Sequence, residues 1–183
     1  TLLGGVAVLA AFCIIETKVT EPMFQIQLFR IRSFTAGNLA SLLAALGRGG
    51  LMFILTIWLQ GIWLPEHGYS FESTPLWAGI YMLPLTVGFL IAGPVSGALS
   101  DRFGARLFAT GGMLLAAATF VGLMMLPVNF DYSEFALILL LNGIGMGLFA
   151  APNRAGIMNS LPANRRGAGA GMSTTFQNAA MVL

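Results

Sequence analysis

No charged side chain interrupts residues 76–100, 107–130 or 135–153. Charge is scarce throughout: nine Lys and Arg with seven Asp and Glu make 9% of 183 residues, against roughly 25% in soluble domains. Cysteine occurs once, at Cys13, which excludes an internal disulfide framework and a cysteine zinc cluster. Histidine also occurs once, at His67, and no Ser–His–Asp triad or metal-ligand set can be assembled around it, so neither an enzyme nor a cofactor is expected. A net charge of +2 is too small for a nucleic-acid-binding face, and no nucleic-acid partner is expected. No Met opens the chain and no basic segment precedes its first apolar run, so a signal peptide is not expected. Both ends lie inside apolar segments, and the chain reads as a piece of a larger protein.

What is present is hydrophobic, 57% of all residues, and the length of the uncharged runs decides the class. Crossing the hydrocarbon takes about 20 apolar residues in a helix. Residues 76–100 and 107–130 meet that unaided, 135–153 come close, and 33–65 meet it with one interruption at Arg48. A soluble helical core would show polar stripes at helical spacing, whereas these runs are apolar all round. The expected fold is an all-α, polytopic transmembrane bundle of five to six spans, the first and last truncated. Residues 1–35 are read as the end of one span plus a cytoplasmic interfacial linker. Residues 36–183 form a helical domain with spans near 37–62, 76–99, 107–127, 135–153 and 168–183.

The charges sort by loop. Threaded alternately, loops 16–35, 100–106 and 154–166 share one side and hold eight of the nine basic residues. The other side holds Glu66, His67, Glu72, Asp131 and Glu134 and no Lys or Arg. Insertion retains basic loops in the cytoplasm, so the chain is expected to be multi-pass in the cell membrane with those three loops inside. Within 21–34, Phe24, Leu28 and Ile31 fall at helical spacing beside Arg30 and Arg32, which suits a helix lying at the lipid interface, with an ordinary ordered loop as the alternative. Trp58, Trp63 and Tyr69 are expected to ring the outer boundary. Pro84, Gly93, Pro94 and Pro152 are expected to kink and pack the helices. The small-residue run GIGMG at 143–147 has no strand before it, so it reads as a helix face and not as a nucleotide loop.

The stretch Gly97-Ala98-Leu99-Ser100-Asp101-Arg102-Phe103-Gly104-Ala105-Arg106 resembles the cytoplasmic signature loop of the major facilitator superfamily, G-x-L-a-D-r-x-G-r-[KR]. It departs from that form at Ser100 and Ala105. Residues 59–84 and 152–171 are similar to the L-Q…G…P-x-x-A-G-x-x-x-L-P and P…R-G-x-x-A-G patterns of its 14-helix drug–proton antiporter branch. Residues 88–97 match that branch's G-x-x-x-G-P-x-x-G-G signature only in part. The resemblance covers nearly the whole chain and implies a C-terminal-half fragment that works with a missing N-terminal half, the lipid bilayer and a proton gradient. It implies secondary active efflux of a small organic substrate by alternating access. Gly97, Asp101, Arg102, Gly104 and Arg106 would then form the cytoplasmic gate. Uptake of a metabolite or sugar on the same fold, or a non-transporting membrane scaffold or sensor, are the alternatives.

Arg48 is the one charge inside a span, near mid-membrane, where burial costs at least about 2.5 kcal/mol. It is a candidate contact for substrate or a coupling carboxylate, and equally a structural tether. Gly47, Gly49 and Gly50 beside it suggest crowded or locally unwound backbone. The amides of Gln60 and Asn142 are candidates on the same terms. No Asp or Glu lies in a span interior, so a titrating carboxylate is expected elsewhere in the parent protein.

Overall fold

A computed structural model describes Ile15 and residues 25–182. The expected span 1–15, apart from Ile15, and Phe24 of the linker lie outside the described residues. A 3-10 turn, Ile26–Arg30, leads into α1, Arg32–Trp58. Pro65 has no N–H to offer the Gly61 carbonyl, and its ring crowds that oxygen. The helix widens there into a π turn, Leu59–Trp63, before a last turn, Leu64–Glu66, completing a run of 35 residues. After a second 3-10 turn, Phe71–Ser73, come α2, Thr74–Tyr81, and α3, Leu83–Phe103. Pro84 deprives the Ile80 carbonyl in the same way, and Met82 is the irregular residue between them. Gly104, at φ 91° and ψ 138°, separates α3 from α4, Ala105–Met125, in a conformation L side chains rarely adopt. Pro127 and Pro162 then follow α4 and α5, Tyr132–Asn159, where a helix cannot continue, and α6 spans Arg166–Val182.

Four helical runs are long and apolar enough to cross a bilayer: Arg32–Glu66, Phe71–Phe103, Ala105–Met125 and Tyr132–Asn159. They extend a few residues past most of the expected span limits, because a helix continues into the headgroup layer after its apolar stretch ends. Side chains such as Phe53, Leu90, Leu114 and Met124 are 66–85% exposed, an outer surface that only lipid or more protein would cover.

The centre of the bundle is α5. In its most apolar stretch 50% of residues are buried, against 17–22% in the other three spans. The small-residue run explains why. A Cβ built on Gly143 would collide with the Leu85 carbonyl oxygen, and one on Gly147 would lie 3.0 Å from the Gly93 nitrogen, so these two seat α3. Gly145, on the other side, approaches the Ala116 nitrogen at 2.8 Å and seats α4. In lipid no hydrophobic push joins helices, so close backbone approach through small residues supplies the packing. Ser96 adds a polar stitch, its hydroxyl 3.0 Å from the Gly147 carbonyl and 2.9 Å from that of Gly93. Both α3 and α5 remain helical through Pro94 and Pro152; Pro94 is exposed, whereas Pro152 is buried.

The expected outer aromatic ring turns inward. Trp63 is 5% exposed and stacks on His67 at 3.8 Å and on Phe130 at 5.0 Å. Trp58 packs on Phe130 as well, and the Tyr69 and Tyr81 hydroxyls lie 3.1 Å apart. Tight burial of Phe130 in the short α4–α5 connection gives these rings a protein surface to pack on. At the basic end, Leu28 of the linker joins Phe34, Ile157, Leu161 and Met172 in a second core cluster, with Arg30 left exposed.

Candidate functional site

Arg48 stands one residue from the midpoint of the Arg32–Glu66 run. It falls seven residues after Ser41 and seven before Leu55, both buried, so it lies on the stripe of α1 that faces the bundle. The side chain is half-buried, and its guanidinium carbon sits 5.0 Å over the ring of Phe89 on α3. Such a cation–π contact contributes about 0.5–2 kcal/mol, less than the cost of bringing the charge inside. Among the described residues the guanidinium makes no hydrogen bond or salt bridge, and the described spans hold no acidic residue near it. The site therefore presents a forked cation with unused donors. Gly47, Gly49 and Gly50 do not unwind the backbone, since α1 runs unbroken through them. A Cβ on Gly49 or Gly50 would meet nothing within 4 Å, so open space adjoins this turn.

The other two candidates are not gathered around it. Asn142 is 2% exposed, and its Nδ2 donates to Thr119 Oγ1 at 2.8 Å. Thr119 in turn donates to the Ala116 carbonyl at 2.6 Å. The amide thus ties α5 to α4. Gln60 lies in the π turn, half-buried and without a hydrogen bond among the described residues, about 18 Å along α1 from Arg48. Replacing Asn142 by leucine is expected to lower the melting free energy of the solubilised parent protein by about 1 kcal/mol. A loss of ligand affinity beyond that caused by Thr119→Val would show that the amide also reads a ligand.

Asn153 is the polar residue that sequence reasoning missed. Its Nδ2 lies 3.0 Å from the Gly37 carbonyl and 2.8 Å from Ser41 Oγ, joining α5 to α1 at the basic end. The only signal was an amide next to Pro152.

In the 96–106 hairpin, Ser100 caps the end of α3, accepting the Gly104 N–H at 2.9 Å on its carbonyl and donating its hydroxyl to the Gly97 carbonyl at 2.8 Å. Asp101, Arg102 and Arg106 are exposed and form no salt bridge among the described residues. A Cβ on Gly97 would meet nothing within 4 Å, so no described helix makes the close approach its position allows. The hairpin therefore presents one acid, two arginines and a bare backbone outward. Arg106 also borders a cleft between α1, α4 and α5.

Comparison with known proteins bears on this arrangement. The family model for the Major Facilitator Superfamily matches residues 1–183. The tetracenomycin C resistance and export protein of Streptomyces glaucescens is 31% identical over 98% of this chain and 31% of its own length. The methyl viologen resistance protein SmvA of Salmonella typhimurium is 30% identical over 95% of this chain and 34% of its own. The riboflavin transporter RibZ of Clostridioides difficile is 24% identical over 98% and 38%. The chain thus spans about a third of the length of these relatives. With a family match along its full length and helices that can cross a bilayer several times, the chain belongs to the Major Facilitator Superfamily as a multi-pass membrane protein.

Proposed function

We propose that the parent protein is a proton-coupled exporter of small organic compounds working by alternating access, and that this chain supplies much of its C-terminal half. Helices of two halves that rock about a midplane site need a polar group there, and Arg48 is the observation that carries the reading. It is charged, central, open on one side and uncompensated among the described residues. Gln60 and Asn142 are secondary candidates. The resistance and export relatives favour efflux of drug-like compounds, and the motif matches favour the 14-helix branch.

In this reading the basic loops lie inside the cell. Asp101, with Arg102 and Arg106, then closes the cytoplasmic side by pairing with a helix of the missing N-terminal half, whose backbone approaches Gly97. The unpaired, outward position of these groups supports that role. A full-length protein in proteoliposomes should move protons, reported by an entrapped pH dye, when a transported member of a panel of drug-like compounds is added. Absence of substrate-dependent proton movement across a panel of drug-like compounds would remove the antiport reading. Asp101→Asn is expected to reduce efflux by at least about tenfold while membrane insertion stays normal, since tenfold corresponds to about 1.4 kcal/mol, the scale of one charge-assisted contact. Unchanged efflux would take the gate role away from this residue. The riboflavin-transporter relative favours a second reading, metabolite transport, which flavin-driven flux in the same vesicles would select.

A further inference from the structure

The tightest helix contacts in the bundle converge on Phe89. Its neighbour Gly88 lies so close to α5 that an added Cβ would collide with the Leu140 carbonyl oxygen and stand 3.0 Å from the Ile144 nitrogen. A Cβ on Gly143 would stand 2.9 Å from the Phe89 nitrogen, and one on Gly147 would stand 3.0 Å from the Phe89 carbonyl oxygen. Both polar atoms of the Phe89 backbone are therefore held against one face of α5, with little room to slide or turn. The Ser96 hydroxyl, 3.0 Å from the Gly147 carbonyl, secures the same contact two turns further on. These clamps fix the backbone alone. The Phe89 side chain is half-buried, and its ring lies beneath the Arg48 guanidinium, 5.0 Å from centroid to carbon.

What a phenyl ring supplies differs from what other partners would. An arginine side chain has large rotamer freedom, and its planar fork is useful only when it is held in place. A carboxylate or carbonyl would hold it by occupying its N–H donors. A phenyl face attracts the cation through its quadrupole and carries no lone pair, so the donors stay available. Among the described residues no hydrogen bond joins α1 to α3, and Arg48 makes neither a hydrogen bond nor a salt bridge. The ring is thus the attractive contact that sets where the guanidinium lies between these two helices.

We propose that Phe89 is a positioning residue for Arg48: the glycine face of α5 locks its backbone, and its ring holds the guanidinium at mid-membrane with the N–H donors free for the polar group met during transport. The inference rests on the transport role of Arg48. Its test uses full-length protein in proteoliposomes and the compound that unaltered protein exports fastest from a panel of fluorescent aromatic dyes. Mono-, di- and trifluorophenylalanine placed at position 89 keep the shape of the ring while draining electron density from its face. Export should fall stepwise along that series, by about fivefold at the third member, the scale of one cation–π contact. Phe89→Leu should lose as much, whereas Phe89→Tyr, which keeps the face, should restore export. The fluorinated proteins should melt at the unaltered temperature, since no glycine contact changes. A spectroscopic readout needs no transport: with isotope-labelled arginine, the Arg48 Nε–H resonance, identified by its loss in Arg48→Leu, should be displaced by the ring current of Phe89 and relax in Phe89→Leu. A flat fluorine series beside impaired Arg48→Leu, or an undisplaced resonance, would overturn the positioning role. Normal export by Arg48→Leu would instead overturn the transport reading beneath it, and the resonance would still decide whether the ring holds the guanidinium.

Discussion

Replacing Gly143 with alanine is expected to destabilise the bundle by about 1–3 kcal/mol or more, the range for overpacking a close contact. The added carbon would overlap the Leu85 carbonyl oxygen and stand 2.9 Å from both the Leu85 carbonyl carbon and the Phe89 nitrogen. All three are backbone atoms, so no rotamer change relieves the overlap and α3 must move away from α5. The retreat would strain the Ser96 stitch to Gly147 and loosen the contact that holds Phe89 under Arg48. Gly111→Ala is the control: it stands next to Gly112 on α4, but a Cβ there meets nothing within 4 Å. It should alter stability by no more than about 0.5 kcal/mol, apart from alanine's helix preference. Thermal melting of the solubilised full-length variants measures both. Equal midpoints for Gly143→Ala and Gly111→Ala would mean that α3 and α5 do not touch through this glycine.

Arg48→Leu should separate function from stability. Transport is expected to fall by at least about tenfold, because the span loses its only forked donor at mid-membrane. If the compensating anion is carried by substrate, thermal stability should stay level or rise, since an uncompensated buried cation costs at least about 2.5 kcal/mol. If instead a carboxylate elsewhere in the parent protein pairs with Arg48, removing the arginine strands that acid and stability should fall. Arg48→Cys provides an access test. Its thiol should react with a membrane-impermeant reagent in at least one state of the transport cycle. Complete protection in every state would place the residue in a dry interior and support a scaffold that does not transport.

Legibility followed the range of the interactions involved. Run length and the distribution of arginines depend on each residue's free energy in lipid or water, which is nearly independent of its neighbours. The helical class could therefore be read along the chain. So could the break at Gly104 and the helix face at 143–147, because chirality and side-chain size act locally. Trp63 was misplaced for the opposite reason. A lone amphipathic ring belongs at the lipid–water boundary, yet here Phe130, 67 residues away, offers it a stack.

By itself the sequence determined a bilayer-crossing helical chain with its basic loops on one side, a charge stranded at Arg48 and a motif-bearing hairpin at 96–106. Tertiary structure alone decided that Gly143 and Gly147 face α3 while Gly145 faces α4. It also turned Asn142 toward Thr119, placed Phe89 beneath Arg48 and opened a cleft beside Arg106. Solvation and backbone preference are paid residue by residue, whereas contact between helices depends on which faces meet, and that is set only when all of them have packed.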